Sequence, residues 1–117
     1  DISLDSVNRW FTEEYLDKNP DIKKFFLNLL GKKKKEYFLP AYKVFVEADE
    51  YPLNFNNFLI PTLIMTGENE VGSTPEMSRM LHREIKNSEL YIIPKAKHMA
   101  VFERDDLVNN EISKFIT

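Results

Sequence analysis

Two stretches of this sequence share one pattern, in which an apolar strand is followed by a polar loop. Residues 62–66 and 89–93 are the strands, and the loops after them carry Glu70 and His98. A strand–helix–strand unit favours parallel strands with a right-handed crossover, and ligands bind beyond the carboxyl ends of such strands. The sequence therefore predicts that Glu70 and His98 lie together at one edge of a parallel sheet.

The chain as a whole predicts an α/β fold with three segments. Residues 1–50 form a helical segment, in which Thr12 caps one helix, Pro20 opens a second and a third runs over about 33–48. Residues 51–60 are rich in turn residues and form a linker. Residues 61–117 alternate strand and helix. Strand 62–66 has the apolar character of a strand buried on both faces. The helix that begins at Thr74 has a predicted buried face of Met77, Leu81 and Ile85. The last helix begins near Asp105.

A carboxylate followed by a histidine matches the acid and the base of a Ser–His–acid triad. In a triad the imidazole takes the proton of the nucleophile, and the carboxylate fixes the tautomer of the imidazole. Glu70 is favoured as the acid, with Glu68 of the same loop as the alternative. A serine nucleophile would precede both on a Gly-x-Ser-x-Gly turn, and these 117 residues with their three glycines contain no such turn.

Other polar and aromatic residues have structural explanations. Ser73, Ser78 and Ser88 fall at a helix start or in a turn, and His82 lies in mid-helix, where we expect it to be solvated or lightly paired. The lysines at 32–35 predict a solvated face. An aromatic stripe in the helical segment is expected to pack in the core, with the wall of a substrate pocket as the alternative; its members are Phe25, Phe26, Phe38, Tyr42 and Phe45.

Composition excludes several classes of function. The net charge is −3 and neither half of the chain is basic, so no nucleic-acid partner is expected. No apolar run approaches the roughly 20 residues of a membrane span, and the first residues do not resemble a signal peptide. Without cysteine there is no disulfide or thiolate metal site. We expect no metal and no cofactor, and a reducing cytoplasm fits.

The two strand–loop stretches resemble the α/β-hydrolase superfamily. Residues 61–70, with the pattern Pro-Thr-Leu-Ile-x-x-Gly-Glu-x-acid, resemble its seventh strand and acid loop, and Thr74-Pro75-Glu76 resembles the next helix start. Residues 92–99, followed by Glu103, resemble the eighth strand, the histidine loop and the final helix. Residues 8–12 and the helices after them resemble the end of the cap. The nearest branch is that of lactonases and esterases, which includes 3-oxoadipate enol-lactonase.

This resemblance implies the C-terminal portion of a hydrolase fold. The complete protein would hydrolyse carboxylic esters or lactones, with Glu70 and His98 as acid and base, and this chain alone would be inactive. The sequence departs from the family at the acid, which is usually Asp; the extra methylene of Glu moves the carboxylate by roughly 1.5 Å. Lys95 and Lys97 stand where the family often has glycines.

A non-catalytic fragment or helical interaction module is the rival interpretation. The chain does not begin with Met, which is typical of a processed chain, an excised segment or a fragment. A sheet of two strands is marginal and seeks partners. The expected partners are a missing N-terminal hydrolase half or a second copy of the chain. The simplest assembly is a two-fold dimer through helices 12–48, with the irregular segment 49–60 as a hinge for exchange.

Overall fold

The structure is a computed structural model that describes residues 2–117. A helical part leads into a part with two strands, so the predicted α/β class is confirmed. The elements in chain order are α1 (Ile2–Trp10), α2 (Glu13–Lys18), α3 (Pro20–Gly31), α4 (Lys35–Val46), β1 (Thr62–Gly67), α5 (Pro75–Glu84), β2 (Ser88–Ile93), α6 (Ala100–Glu103) and α7 (Asp105–Ile116), with 3₁₀ turns at Ala48–Glu50 and Phe55–Asn57 between α4 and β1.

Local sequence signals set the limits of the first helices. The Thr12 side chain caps α2 by accepting a hydrogen bond from Tyr15 N at 3.3 Å. Pro20 occupies the first turn of α3, where the missing N–H costs no hydrogen bond. The ring centroids of Phe11 and Phe26 are 5.2 Å apart, and this contact packs the α1–α2 turn against α3. The buried residues of this first core are Val7, Phe11, Leu16 and Phe26.

The sheet brings the ends of two distant segments together. β1 and β2 pair in parallel, with Thr62 opposite Ser88 and Gly67 opposite Ile93. Helix α5 forms the crossover, and Thr74 caps it by accepting a hydrogen bond from Met77 N at 3.3 Å. Because the strands end in register, the loops that follow them leave the sheet at the same edge. A second core joins β2 to α6 and α7, and its buried residues are Ile93, Ala96, Ala100 and Val108.

The structure differs from the sequence-based predictions at Met77 and at α6. In β1, Ile64 is buried and Leu63 and Met65 are half-buried, so the described residues leave this apolar strand partly uncovered. Of the predicted buried face of α5, Leu81 is half-buried and Ile85 is buried, but Met77 is 52% exposed and Ser78 is buried in its place. Helix α6 was not predicted, since it has four residues and no side-chain cap.

A segment rich in exposed apolar residues follows the first core. Residues 37–60, which we name the apolar band, include all of α4 except Lys35 and Glu36, and α4 has no buried residue. Tyr37, Phe45 and Leu59 are 72%, 78% and 79% exposed. Exposed apolar area on this scale is typical of a surface that meets another molecule.

No helix within residues 2–117 is both long and apolar enough to cross a membrane. Helices α3, α4 and α7 have 12 residues each, whereas a spanning helix needs about 20 apolar residues.

The apolar band leads us to expect that the purified chain self-associates. Light scattering after size exclusion should give a mass above that of the monomer at high micromolar concentration. Phe45→Lys places a charge in the band and should shift the mass toward the monomer. Ile116→Lys is the matched control, since Ile116 is 72% exposed at the end of α7. A well-folded monomer with cooperative thermal unfolding would contradict the prediction.

Candidate active site

Glu70 and His98 follow the two parallel strands. Glu70 lies in the loop after β1, three residues beyond Gly67, and His98 lies in the loop after β2, five residues beyond Ile93. Gly67 and Ile93 are opposite each other in the sheet register. The two side chains therefore come from the same edge of the sheet, as the sequence predicts.

The two side chains are in direct contact. His98 Nδ1 lies 2.7 Å from Glu70 Oε2. Glu70 is 6% exposed, and its second oxygen, Oε1, accepts a hydrogen bond from Gly72 N at 2.7 Å. A buried carboxylate is costly unless it is hydrogen-bonded, and here both oxygens have a donor. The carboxylate is thus fixed in place before any ligand binds.

This contact sets the tautomer of neutral His98. An ionised carboxylate can only accept hydrogen bonds, so the Nδ1–H of His98 is the donor. In the neutral ring Nε2 then carries the lone pair, on the side of the imidazole away from Glu70. The His98 side chain is 52% exposed, and the ring is therefore accessible to a proton donor outside this pair.

Glu68, the alternative acid, has a different partner. Its Oε2 accepts a hydrogen bond from Lys95 N at 3.0 Å. Lys95 has a φ of 53°, a left-handed conformation that costs a residue with a Cβ roughly 1–2 kcal/mol. Glu68 supports the turn before His98, and Glu70 is the carboxylate that contacts the imidazole.

Gly67 permits the close approach of the two loops. Glu68 N donates to Ile93 O and Asn69 N donates to Ala96 O, both at 2.8 Å. A Cβ on Gly67 would lie 2.4 Å from Ala96 O and 2.5 Å from Lys97 O. Both obstacles are backbone atoms, so a side chain at this position is incompatible with the present loop spacing.

Known proteins with a similar structure are hydrolases. No protein-family model matches the chain. The enol-lactonase from Burkholderia xenovorans LB400 aligns with 97% of this chain at a TM-score of 0.75 and 23% sequence identity. This chain has part of the α/β-hydrolase fold. It spans 43% of the length of the enol-lactonase chain.

One curated protein adds a similarity in sequence. Proline iminopeptidase PfmaB from Pestalotiopsis fici is 30% identical to this chain over 63 residues. The match covers 54% of this chain and 22% of the iminopeptidase. The chain therefore spans less than half the length of either relative, and both relatives are α/β-hydrolases.

The α1–α2 turn packs directly against the histidine loop of this hydrolase fold. Trp10 O accepts a hydrogen bond from Met99 N at 2.9 Å. The rings of Trp10 and His98 have centroids 6.4 Å apart and planes inclined by 31°. Trp10 belongs to residues 8–12, which resemble the end of the cap. No local pattern encodes a contact between residues so far apart in the chain.

A cavity of about 910 Å³ lies beside Glu70 and His98 and includes both in its lining. Its apolar lining comes from Trp10, Leu30, Phe38, Leu39, Tyr42 and Phe45, and its cationic lining from Arg9, Lys33 and Lys35. The default expectation of core packing is therefore wrong for Phe38, Tyr42 and Phe45, which line the cavity. Phe26 does lie in the core, whereas Phe25 is 58% exposed.

The serines and the second histidine do not form an alternative site. Ser78 is buried in α5. Ser88 begins β2, at the sheet edge opposite His98, and its Oγ lies 2.8 Å from His82 Nδ1. Ser73 contributes to the cavity lining. Within residues 2–117, no group of three or more potential metal ligands is present.

Gly67→Ala should destabilise the chain and displace the histidine loop. The new methyl overlaps two carbonyl oxygens, and overpacking of this kind typically costs about 1–3 kcal/mol. Gly31→Ala is the matched control, because a Cβ there meets nothing within 4 Å. Urea unfolding at equal protein concentration measures both. Equal stability of the two variants would contradict the assigned role of Gly67.

Proposed function

We propose that this chain supplies the acid and the histidine of a serine hydrolase that acts on carboxylic esters or lactones. The nucleophile of that enzyme is a serine that this sequence does not contain. The observation that carries the proposal is the 2.7 Å contact between His98 Nδ1 and a buried Glu70, at the carboxyl end of two parallel strands.

The geometry suits general base catalysis. Glu70 holds the proton on Nδ1, so that Nε2 of His98 accepts the proton of the serine hydroxyl as it attacks the carbonyl carbon. The imidazolium that forms is stabilised by the carboxylate 2.7 Å away. When the tetrahedral intermediate collapses, Nε2 gives the proton to the leaving alkoxide oxygen, and the acyl group stays on the serine. His98 then takes a proton from a water that attacks this acyl-enzyme, and it returns that proton to the serine as the acid product leaves. Glu70 remains ionised throughout.

The known relatives support acyl-transfer chemistry. One is named an enol-lactonase and the other a proline iminopeptidase. We favour esters and lactones because the enol-lactonase aligns with nearly the whole chain, while the iminopeptidase matches about half of it. The apolar lining of the cavity suits the uncharged body of such a substrate.

A non-catalytic, self-associating module is the second candidate function. The exposed apolar band favours it, because residues such as Phe45 and Leu59 are covered by no other part of residues 2–117. In the hydrolase proposal the same band meets an N-terminal hydrolase half, and in the module it meets a second copy. The compartment we propose for either protein is the cytoplasm.

The coding DNA upstream of the Asp1 codon distinguishes the two candidates. We expect an in-frame Gly-x-Ser-x-Gly, and the longer product should hydrolyse p-nitrophenyl esters or simple lactones. In that product His98→Ala should lower kcat/KM by about 10⁴-fold or more, as loss of a triad member does in other serine hydrolases.

Two controls accompany this assay. His82→Ala should leave kcat/KM within about two-fold, because His82 contacts Ser88 and not the candidate pair. The 117-residue chain alone should show no p-nitrophenyl acetate turnover above its His98→Ala variant. A stop codon upstream, or a longer product whose activity survives His98→Ala, would reject the hydrolase proposal.

A further inference from the structure

Glu103 joins two segments that are far apart in the chain. It is the last residue of α6, and its Oε1 accepts hydrogen bonds from Thr12 N and from Lys97 N, each at 3.1 Å. Its Oε2 accepts from Thr12 N at 3.1 Å and from the Thr12 hydroxyl. One carboxylate therefore binds the α1–α2 turn and the histidine loop at the same time.

The residues on both sides of His98 are held by hydrogen bonds. Lys97 N, directly before His98, donates to Glu103, and Met99 N, directly after it, donates to Trp10 O at 2.9 Å. Lys97 Nζ adds a third tie by donating to Asn8 O at 2.9 Å. The peptide groups on both sides of His98 thus depend on residues 8–12, either directly or through Glu103.

We propose that Glu103 is a positioning residue for His98, which holds the imidazole in a fixed place relative to Trp10 and the cavity. The effect of Glu103 on turnover rests on the proposed hydrolase function, whereas its effect on the position of the His98 ring does not. The carboxylate suits this task because it accepts several hydrogen bonds at once, and charge-assisted bonds are stronger than neutral ones.

Glu103 also acts on Tyr15 of helix α2. The Tyr15 ring stacks on Phe11 at a centroid distance of 5.5 Å, close to the Thr12 contact. Burial raises the pKa of the Tyr15 hydroxyl, and the negative charges of Glu103 and Asp105 raise it further.

Glu103→Gln tests the proposal in the chain itself. The amide keeps one acceptor oxygen and replaces the other by an NH₂ donor, which cannot accept from Thr12 or Lys97. The His98 ring lies beside the Trp10 ring, with centroids 6.4 Å apart. In the variant we expect the NMR signals of the His98 ring protons to move toward the positions of the His82 signals. The His82 signals should stay in place. Glu111→Gln is the matched control, because Glu111 pairs with Lys114 on α7, away from the loop.

Glu103→Asp distinguishes a displaced His98 ring from a general loss of folding. It keeps the charge but is one methylene shorter, so it should shift the His98 signals in the same direction and to a smaller extent. If Glu103→Gln does not fold, this variant decides the question. Unchanged His98 signals in a folded Glu103 variant, or an equal shift in Glu111→Gln, would overturn the proposal.

Kinetics of the longer product distinguish the two proposals. With Glu103→Gln we expect kcat to fall about 10- to 100-fold while KM changes little, because a displacement of about 1 Å in a catalytic group has this effect. A shifted His98 in a product with no hydrolase activity would reject the proposed function and keep the positioning role. An active product with unchanged kcat in Glu103→Gln would reject the positioning role alone.

Discussion

The hydrogen bonds between the two loops at the end of the sheet hold the candidate site together. Glu68 N binds Ile93 O and Asn69 N binds Ala96 O, and these bonds require that Gly67 has no side chain. Parallel pairing alone brings the strand ends to one edge. The loop contacts then reduce the remaining separation until Glu70 and His98 reach hydrogen-bond distance. The chemistry proposed for the site depends on this backbone arrangement.

Much of this arrangement could be predicted from the sequence. The fold class, the parallel strands and the meeting of Glu70 with His98 follow from apolar runs, turn residues and the order of the elements. Each of these signals is local, or follows from a general rule of chain connection. The family pattern favours Glu70 over Glu68 as the acid, and in the structure Glu70 contacts His98 while Glu68 accepts a hydrogen bond from Lys95 N.

The remaining features depend on contacts that local patterns do not encode. Thr12 was recognised as a helix cap, but its second partner, Glu103, lies 91 residues away. The aromatic residues of α4 have the spacing of a core-facing helix, yet they remain exposed or line the cavity, because no described element covers them. Periodicity identifies an apolar face and does not identify the partner of that face. In this chain, which spans 43% of the length of the enol-lactonase, the apolar face of α4 is present but no described element packs on it.

The central claim is that Glu70 orients His98 as a base, and it is tested most directly by finding which nitrogen of neutral His98 carries the proton. Long-range ¹H–¹⁵N NMR correlations of the imidazole distinguish Nδ1–H from Nε2–H. The account predicts Nδ1–H for His98, lost in Glu70→Gln, which cannot accept from both His98 and Gly72, and retained in Glu68→Gln. An Nε2–H tautomer in the unmodified chain, or loss of Nδ1–H in Glu68→Gln instead of Glu70→Gln, would contradict it.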